Sequence, residues 1–260
     1  MRRFPVSRRV IAAAAVAVLT GSLAAGCGSV KPPPSSLGVS VNQPVPASIA
    51  NIPLTEPDGR TTDLAAFRGK TVMIADFLSL CTDICPLISA NTAALARALN
   101  ADGEGSKVAL LEISVDPQRD TPARLAAYQK LYGGPLPDWT LLRTSPANTA
   151  RLWKYFRVAY GRTKEPNPPA IDWWTHKPLT YDVYHSDDLI FLNADGDQRF
   201  VVNADPEVAA ANVPPSKLVK FLDPQGVRAL YKPNPIADWT VGQALSVFSW
   251  LLNHKLALPA

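Results

Sequence analysis

The chain has 260 residues, 47% hydrophobic and 18% charged, with a formal net charge of +4. The excess of base sits at the N-terminus: removing Arg2, Arg3, Arg8 and Arg9 from the 26 basic residues leaves 22 against 22 acidic. A body so balanced gives a nucleic-acid partner no electrostatic support, and its length suits one domain with a sizeable core.

Those four arginines precede an apolar stretch from Val10 to about Leu19, then Thr20-Gly21-Ser22 and Leu23-Ala24-Ala25-Gly26-Cys27. A charged segment, a short apolar segment and small residues before a cysteine read as an export signal with a lipobox-like end. Residues 1–26 are therefore expected to be a lipoprotein signal peptide, and Cys27 the lipidated first residue of a protein anchored on the outer face of the cell membrane. Ala24 stands where the lipobox usually has leucine, and an ordinary cleaved signal is the alternative. Residues 27–48, with Pro32-Pro33-Pro34-Ser35-Ser36, Pro44 and Pro46, read as an extended, disordered tether. The domain is expected over 49–260, ending in a helical extension.

Asn51 to Leu54, the turn signal Pro57-Asp58-Gly59 and Arg60 to Leu64 predict a short hairpin. Thr71 to Leu78 is an apolar, β-branched run suited to a central strand buried on both faces. A helix is predicted over 86–99, with Pro86 in its first turn, and a second buried strand over 108–115. Thr121 or Asp120 caps a helix from Pro122 to Tyr132. Trp139 to Leu142 reads as a short strand and Ser145 to Phe156 as a helix. Arg162 to about Tyr184 is a long loop rich in Pro and Trp. Strands at 189–192 and 199–202 join at Asp195-Gly196, and closing helices are predicted over 215–222 and 240–252. This order predicts an α/β, thioredoxin-like sandwich: a mixed central sheet flanked by helices, with an N-terminal β-hairpin.

The densest chemical signal is Cys81-Thr82-Asp83-Ile84-Cys85-Pro86, between a buried strand and a helix start. Strand ends of this kind carry the sites of α/β folds, and a helix N-terminus favours thiolates. Cysteines four apart share one face of a helical turn, so both sulfurs can reach one soft ion, Cu(I) or zinc. A buried structural disulfide is the alternative. Three intervening residues differ from the two of thioredoxin-type oxidoreductases, and Leu78 stands where the peroxiredoxin motif has proline. Holding Cu(II) also needs a harder ligand such as imidazole. Of three histidines, His254 lies near the C-terminus and His176 in the Pro/Trp loop, while His185 stands just before a strand whose edge approaches the cysteine loop. With only Met1 and Met73, a methionine-based copper site is excluded.

Asp76-Phe77 before Cys81 to Pro86, then Ser114 to Pro122, then His185-Ser186 before the Asp195-Gly196 hairpin, resembles the Sco/SenC family in order and spacing. The resemblance covers about Ile49 to Leu222. It implies a thioredoxin-like copper metallochaperone with Cys81, Cys85 and His185 as copper ligands, serving the binuclear copper centre of cytochrome c oxidase subunit II. Thr82 replaces the family's proline after the first cysteine, and Leu80 a frequent histidine before it. The loop with Trp173, Trp174 and His176 matches no family pattern, and the Trp pair reads as core cover or as a docking surface. Asp116-Pro117 and Asp120-Thr121-Pro122 read mainly as turn and cap devices, with Asp116 matching a family aspartate. Asp83 could tune the thiolates, meet a partner or cap the next helix. The rival reading is a thiol–disulfide reductase using Cys81 or Cys85 to keep the acceptor's cysteines reduced, or a redox sensor.

Overall fold

The computed structural model describes residues 29–233 and 238–257. The expected signal peptide and Cys27 lie outside the described residues. Strand β1 (Val39–Pro44) precedes a short helix α1 (Ala47–Ala50), and β2 (Leu54–Thr55) and β3 (Thr61–Thr62) form the expected hairpin. The body follows as β4 (Thr71–Phe77), α2 (Cys85–Ala101), β5 (Val108–Ser114), α3 (Pro122–Leu131), β6 (Trp139–Leu142) and α4 (Pro146–Phe156). After it come β7 (Tyr160–Thr163), β8 (Asp182–His185), β9 (Asp188–Leu192), β10 (Asp197–Asn203), α5 (Ser216–Val219), α6 (Pro224–Tyr231) and α7 (Val241–Leu252).

Six strands build one mixed sheet in the order β1-β10-β9-β4-β5-β6. β4, β5 and β6 run parallel, and β9, β10 and β1 are antiparallel additions. Every residue of β4 and β5 is buried, as a strand covered on both faces requires. β10 alternates between buried and half-buried positions, the period of a strand with one dry face. Thr121, not Asp120, caps α3, and Ser145 caps α4. This is the thioredoxin-like sandwich expected from the sequence.

Three segments depart from the sequence reading. The tether was expected to stay disordered to residue 47, yet Val39–Pro44 pairs antiparallel with β10. An open edge of unpaired N–H and C=O groups recruits a strand even from a proline-bearing segment. Gly38 lets the backbones close, since a Cβ there would lie 2.2 Å from the Val201 carbonyl oxygen. The long loop is likewise closed at its base, where β7 pairs with β8. The C-terminal region is not an appendage: α7 packs on α2 and β4, and Phe248 meets Phe191 edge-on at 5.6 Å. The α6 helix was missed, although Asp223-Pro224 is a cap-and-first-turn signal, and Asp223 accepts the N–H groups of Gln225 and Gly226.

The register sets the site. β4 and β5 end together, with Phe77 opposite Ser114. β9 enters beside the same end, Leu189 opposite Ala75, so the residues before β9 face the loop after β4.

Candidate metal centre

Asp76 interrupts the apolar run of β4 and is fully buried. A carboxylate there must be fully hydrogen-bonded. Its Oδ1 accepts the Asp188 N–H at 2.7 Å, and its Oδ2 accepts the Asp187 N–H at 3.2 Å and lies 2.7 Å from His185 Nδ1. With Nδ1 committed to Asp76, His185 presents Nε2 to the Cys85 sulfur at 3.0 Å. Asp187 Oδ1 lies 3.1 Å from the same Nδ1 without a hydrogen bond of its own.

The other two groups come from the turn before α2. Ile84 occupies the cap position and supplies no side-chain acceptor. The Cys81 sulfur takes that role, accepting the N–H groups of Asp83 and Cys85, each at 3.4 Å. Asp83 does not cap α2, and its Oδ1 is buried without a hydrogen-bond partner. Cys81 and Cys85 are free thiols, so no structural disulfide joins them here. Their sulfurs and the imidazole nitrogen lie within 4.8 Å of one another, a group that could hold a metal ion.

The charges within the cluster are unequal. A hydrogen bond from the Cys85 thiol, then the His185 imidazole, hold Cys81 well below the ordinary thiol range against the opposing effect of burial. Burial, then the negative Cys81 sulfur, hold Cys85 well above it. Burial alone would push His185 down, but the Asp76 hydrogen bond and the Cys81 sulfur raise it well above its usual value. The cluster thus favours the thiolate form at Cys81 and the protonated forms at Cys85 and His185. Burial and the Cys81 charge lift Asp83 to about 7, and burial lifts Asp187 to about 8.

A second set of residues holds the chain leading into Cys81. Asp120 is buried and accepts the Ser79 and Ser114 hydroxyls, each at 2.5 Å. It ties the ends of β4 and β5 together, a role the cap reading did not foresee. From the long loop, the Trp173 indole N–H donates to the Ser79 carbonyl at 2.6 Å. Its neighbour Asp172 anchors the loop to α3 through a buried two-pronged pair with Arg124, at 2.8 and 2.9 Å. Trp173 is therefore core cover, while Trp174 stacks on it at 6.2 Å and is 39% exposed. Asp116 binds the Arg119 guanidinium and the Tyr181 hydroxyl, and so is more than a turn residue. His176 sits against Phe221 in the long loop, and His254 lies 4.0 Å from Glu104, so neither joins the cluster.

The sequence reading named all three members of the cluster and missed the residues that aim them. The sequence pattern gives Asp76 only as a neighbour of the cysteine motif, although a lone charge in a buried apolar strand is itself a signal. Nothing in the sequence marks Trp173 as a partner of Ser79.

The SCO1/SenC family model matches residues 46–214, more than half of the chain. This protein belongs to the SCO1/SenC family. The SCO1 protein homolog of Bacillus subtilis is 28% identical over 106 residues, covering 40% of this chain and 53% of the relative. The mitochondrial SCO2 homolog of Bos taurus is 31% identical over 143 residues, covering 55% and 49%. This SCO1/SenC chain therefore spans about half the length of the curated relatives it matches. Among solved structures, Arabidopsis thaliana ScoI with copper bound is 24% identical, with a TM-score of 0.49, covering 65% of this chain and 90% of that one. A protein of Aquifex aeolicus VF5 is 18% identical, with a TM-score of 0.50, covering 64% and 86%. Two sulfurs and one imidazole nitrogen, with the second ring nitrogen held by a carboxylate, are a donor set that fits copper.

Proposed function

We propose that this SCO1/SenC protein is an extracytoplasmic copper metallochaperone, delivering its ion to the binuclear copper centre of cytochrome c oxidase subunit II. One observation carries the reading: Asp76 locks the imidazole so that Nε2 faces two cysteine sulfurs in one cluster. Cys81 and Cys85 hold the cargo ion as soft ligands, and His185 supplies the nitrogen that Cu(II) requires. Acceptor thiolates that enter one at a time can share the ion with Cys81 and Cys85 during hand-over. Among the described residues no helix is long and apolar enough to cross a membrane. A lipid on Cys27, with a short tether, would keep the protein on the outer membrane face at high effective concentration near a membrane-bound acceptor.

Copper titration of the soluble domain tests this. The wild-type Cu(II) form should show sulfur-to-copper charge-transfer absorption. His185→Ala should damage Cu(II) binding far more than Cu(I) binding, Cys81→Ala or Cys85→Ala should lose both, and His176→Ala and His254→Ala should change little. An intact Cu(II) spectrum in His185→Ala refutes the assignment.

The pairing of a low-lying Cys81 thiolate with a protonated Cys85 also favours a second reading, a thiol–disulfide reductase for the acceptor's cysteines. Dithiol exchange does not require His185 as a ligand. Wild-type protein that binds no copper yet reduces disulfides would establish that reading instead.

A further inference from the structure

The turn that presents Cys81 is covered by a part of the chain beyond the family match, which ends at residue 214. Asp223, immediately before α6, donates its backbone N–H to the Thr82 carbonyl at 2.7 Å. Gly226, in the first turn of α6, lies so close that a Cβ would come within 2.6 Å of the Asp83 carbonyl oxygen and 2.9 Å of the Thr82 carbonyl oxygen. Further along this turn, the N–H groups of Asp83 and Cys85 are the two backbone donors to the Cys81 sulfur. A continuous backbone path therefore runs from Asp223 through Thr82 to the metal-binding sulfur. Thr82 leaves the turn without the stiffening that a proline ring would provide. An external hydrogen bond and a flush helix supply it instead.

We infer that Asp223 and Gly226 are positioning residues of the metal centre, and that α6 is a clasp setting how firmly the cysteine turn holds its ion. Gly226 is not in a left-handed conformation, and inside a helix alanine is ordinarily better than glycine by up to about 1 kcal/mol. If α6 were idle, Gly226→Ala would be neutral or stabilising. The clasp requires the opposite at the site, because the carbonyls in its way are backbone and cannot swing aside.

The inference rests on the copper reading, so its test has a metal-free arm. In the full-length protein, Gly226→Ala should speed amide hydrogen exchange in peptides spanning residues 79–88 by about tenfold, the scale of one lost buried hydrogen bond. Exchange in β5 should stay as in the wild type. Loss of Cu(I) to a chelator in excess should accelerate by a similar factor. Gln225→Ala, on the same helix, should match the wild type in both arms. Asp223→Pro removes the donor at a φ of −76° that proline adopts, and should reproduce Gly226→Ala. Asp223→Ala, which keeps the N–H, should do so less. Unchanged exchange at 79–88 in Gly226→Ala and Asp223→Pro overturns the clasp. Faster exchange with unchanged metal loss also overturns it as part of the metal centre. If wild-type protein takes up no copper, the copper reading fails, and the exchange arm still decides whether α6 holds the turn.

Discussion

The Asp76 carboxylate and the His185 imidazole, 109 residues apart in sequence, meet at 2.7 Å beneath the two cysteine sulfurs. Asp76 sits in a fully buried strand, and the backbone N–H groups of Asp187 and Asp188, at the entry to β9, fix both its oxygens. The imidazole therefore has one ring nitrogen tied and the other turned to the sulfurs. Asp76→Asn keeps the shape but loses the charge that selects this orientation. Copper affinity should fall about 10- to 100-fold, read by competition with a coloured chelator, because outer-shell partners of a ligating histidine contribute on that scale. Wild-type affinity in Asp76→Asn would remove Asp76 from the site.

Ion uptake should release protons. Cys81 is held well below the ordinary thiol range, while Cys85 and His185 are held well above their ordinary values. Binding at all three must displace the protons favoured on Cys85 and His185, so uptake should release protons and affinity should rise with pH. Calorimetry in two buffers of different ionisation enthalpy measures this. Release near zero would mean that both Cys85 and His185 stay out of the coordination shell.

Trp173 is expected to matter through its N–H rather than its bulk. Trp173→Phe keeps an aromatic ring against Tyr128 but leaves the buried Ser79 carbonyl without its donor. Stability should fall by about 1–3 kcal/mol in chemical denaturation, and the Cu(II) charge-transfer band should shift. Trp174→Phe, at a partly exposed position, should cost under about 1 kcal/mol and leave the band in place.

Glu112 gives a pH signature remote from the metal. It is fully buried in β5, accepts the Ser89 hydroxyl at 2.7 Å and has its other oxygen unpartnered. Burial pushes its carboxyl from 4.5 up to about 7. The folded state therefore binds the proton more tightly than the unfolded chain. The Glu112 contribution to stability is greatest below about pH 4.5 and declines as pH rises towards 7. Glu112→Gln should flatten that decline and be more stable than the wild type at pH 8, on the order of 2–3 kcal/mol. Thermal melts from pH 4 to 8 that run parallel for the two proteins would contradict this.

Much of the molecule was legible in one dimension because its signals are local. The apolar runs at Val72–Ala75 and Val108–Leu111 can only be strands covered on both faces, and Pro86, Thr121 and Ser145 mark helix starts. The cysteine pair at a strand-to-helix junction marked a soft-metal or disulfide site, and the resemblance to the Sco/SenC family implied copper. Two local signals misled or were overlooked. Proline content hid β1, whose partner is an open sheet edge, and the apolar residues over 215–222 masked the Asp223-Pro224 helix start that follows them.

What the sequence determined by itself is the inventory: a thioredoxin-like order of elements, two thiols on one turn and a histidine before a strand. Periodicity, caps and spacing are properties of neighbouring residues, so they survive in the bare chain. What only the tertiary structure decided is how that inventory becomes one centre. The antiparallel register of Leu189 with Ala75 brings His185 over Asp76. Packing places Trp173 against Ser79, and Asp223 with Gly226 against the cysteine turn. These contacts join residues 94 to 144 positions apart and depend on burial, which leaves a lone carboxylate, an indole N–H or a backbone carbonyl stable only where a distant partner completes it.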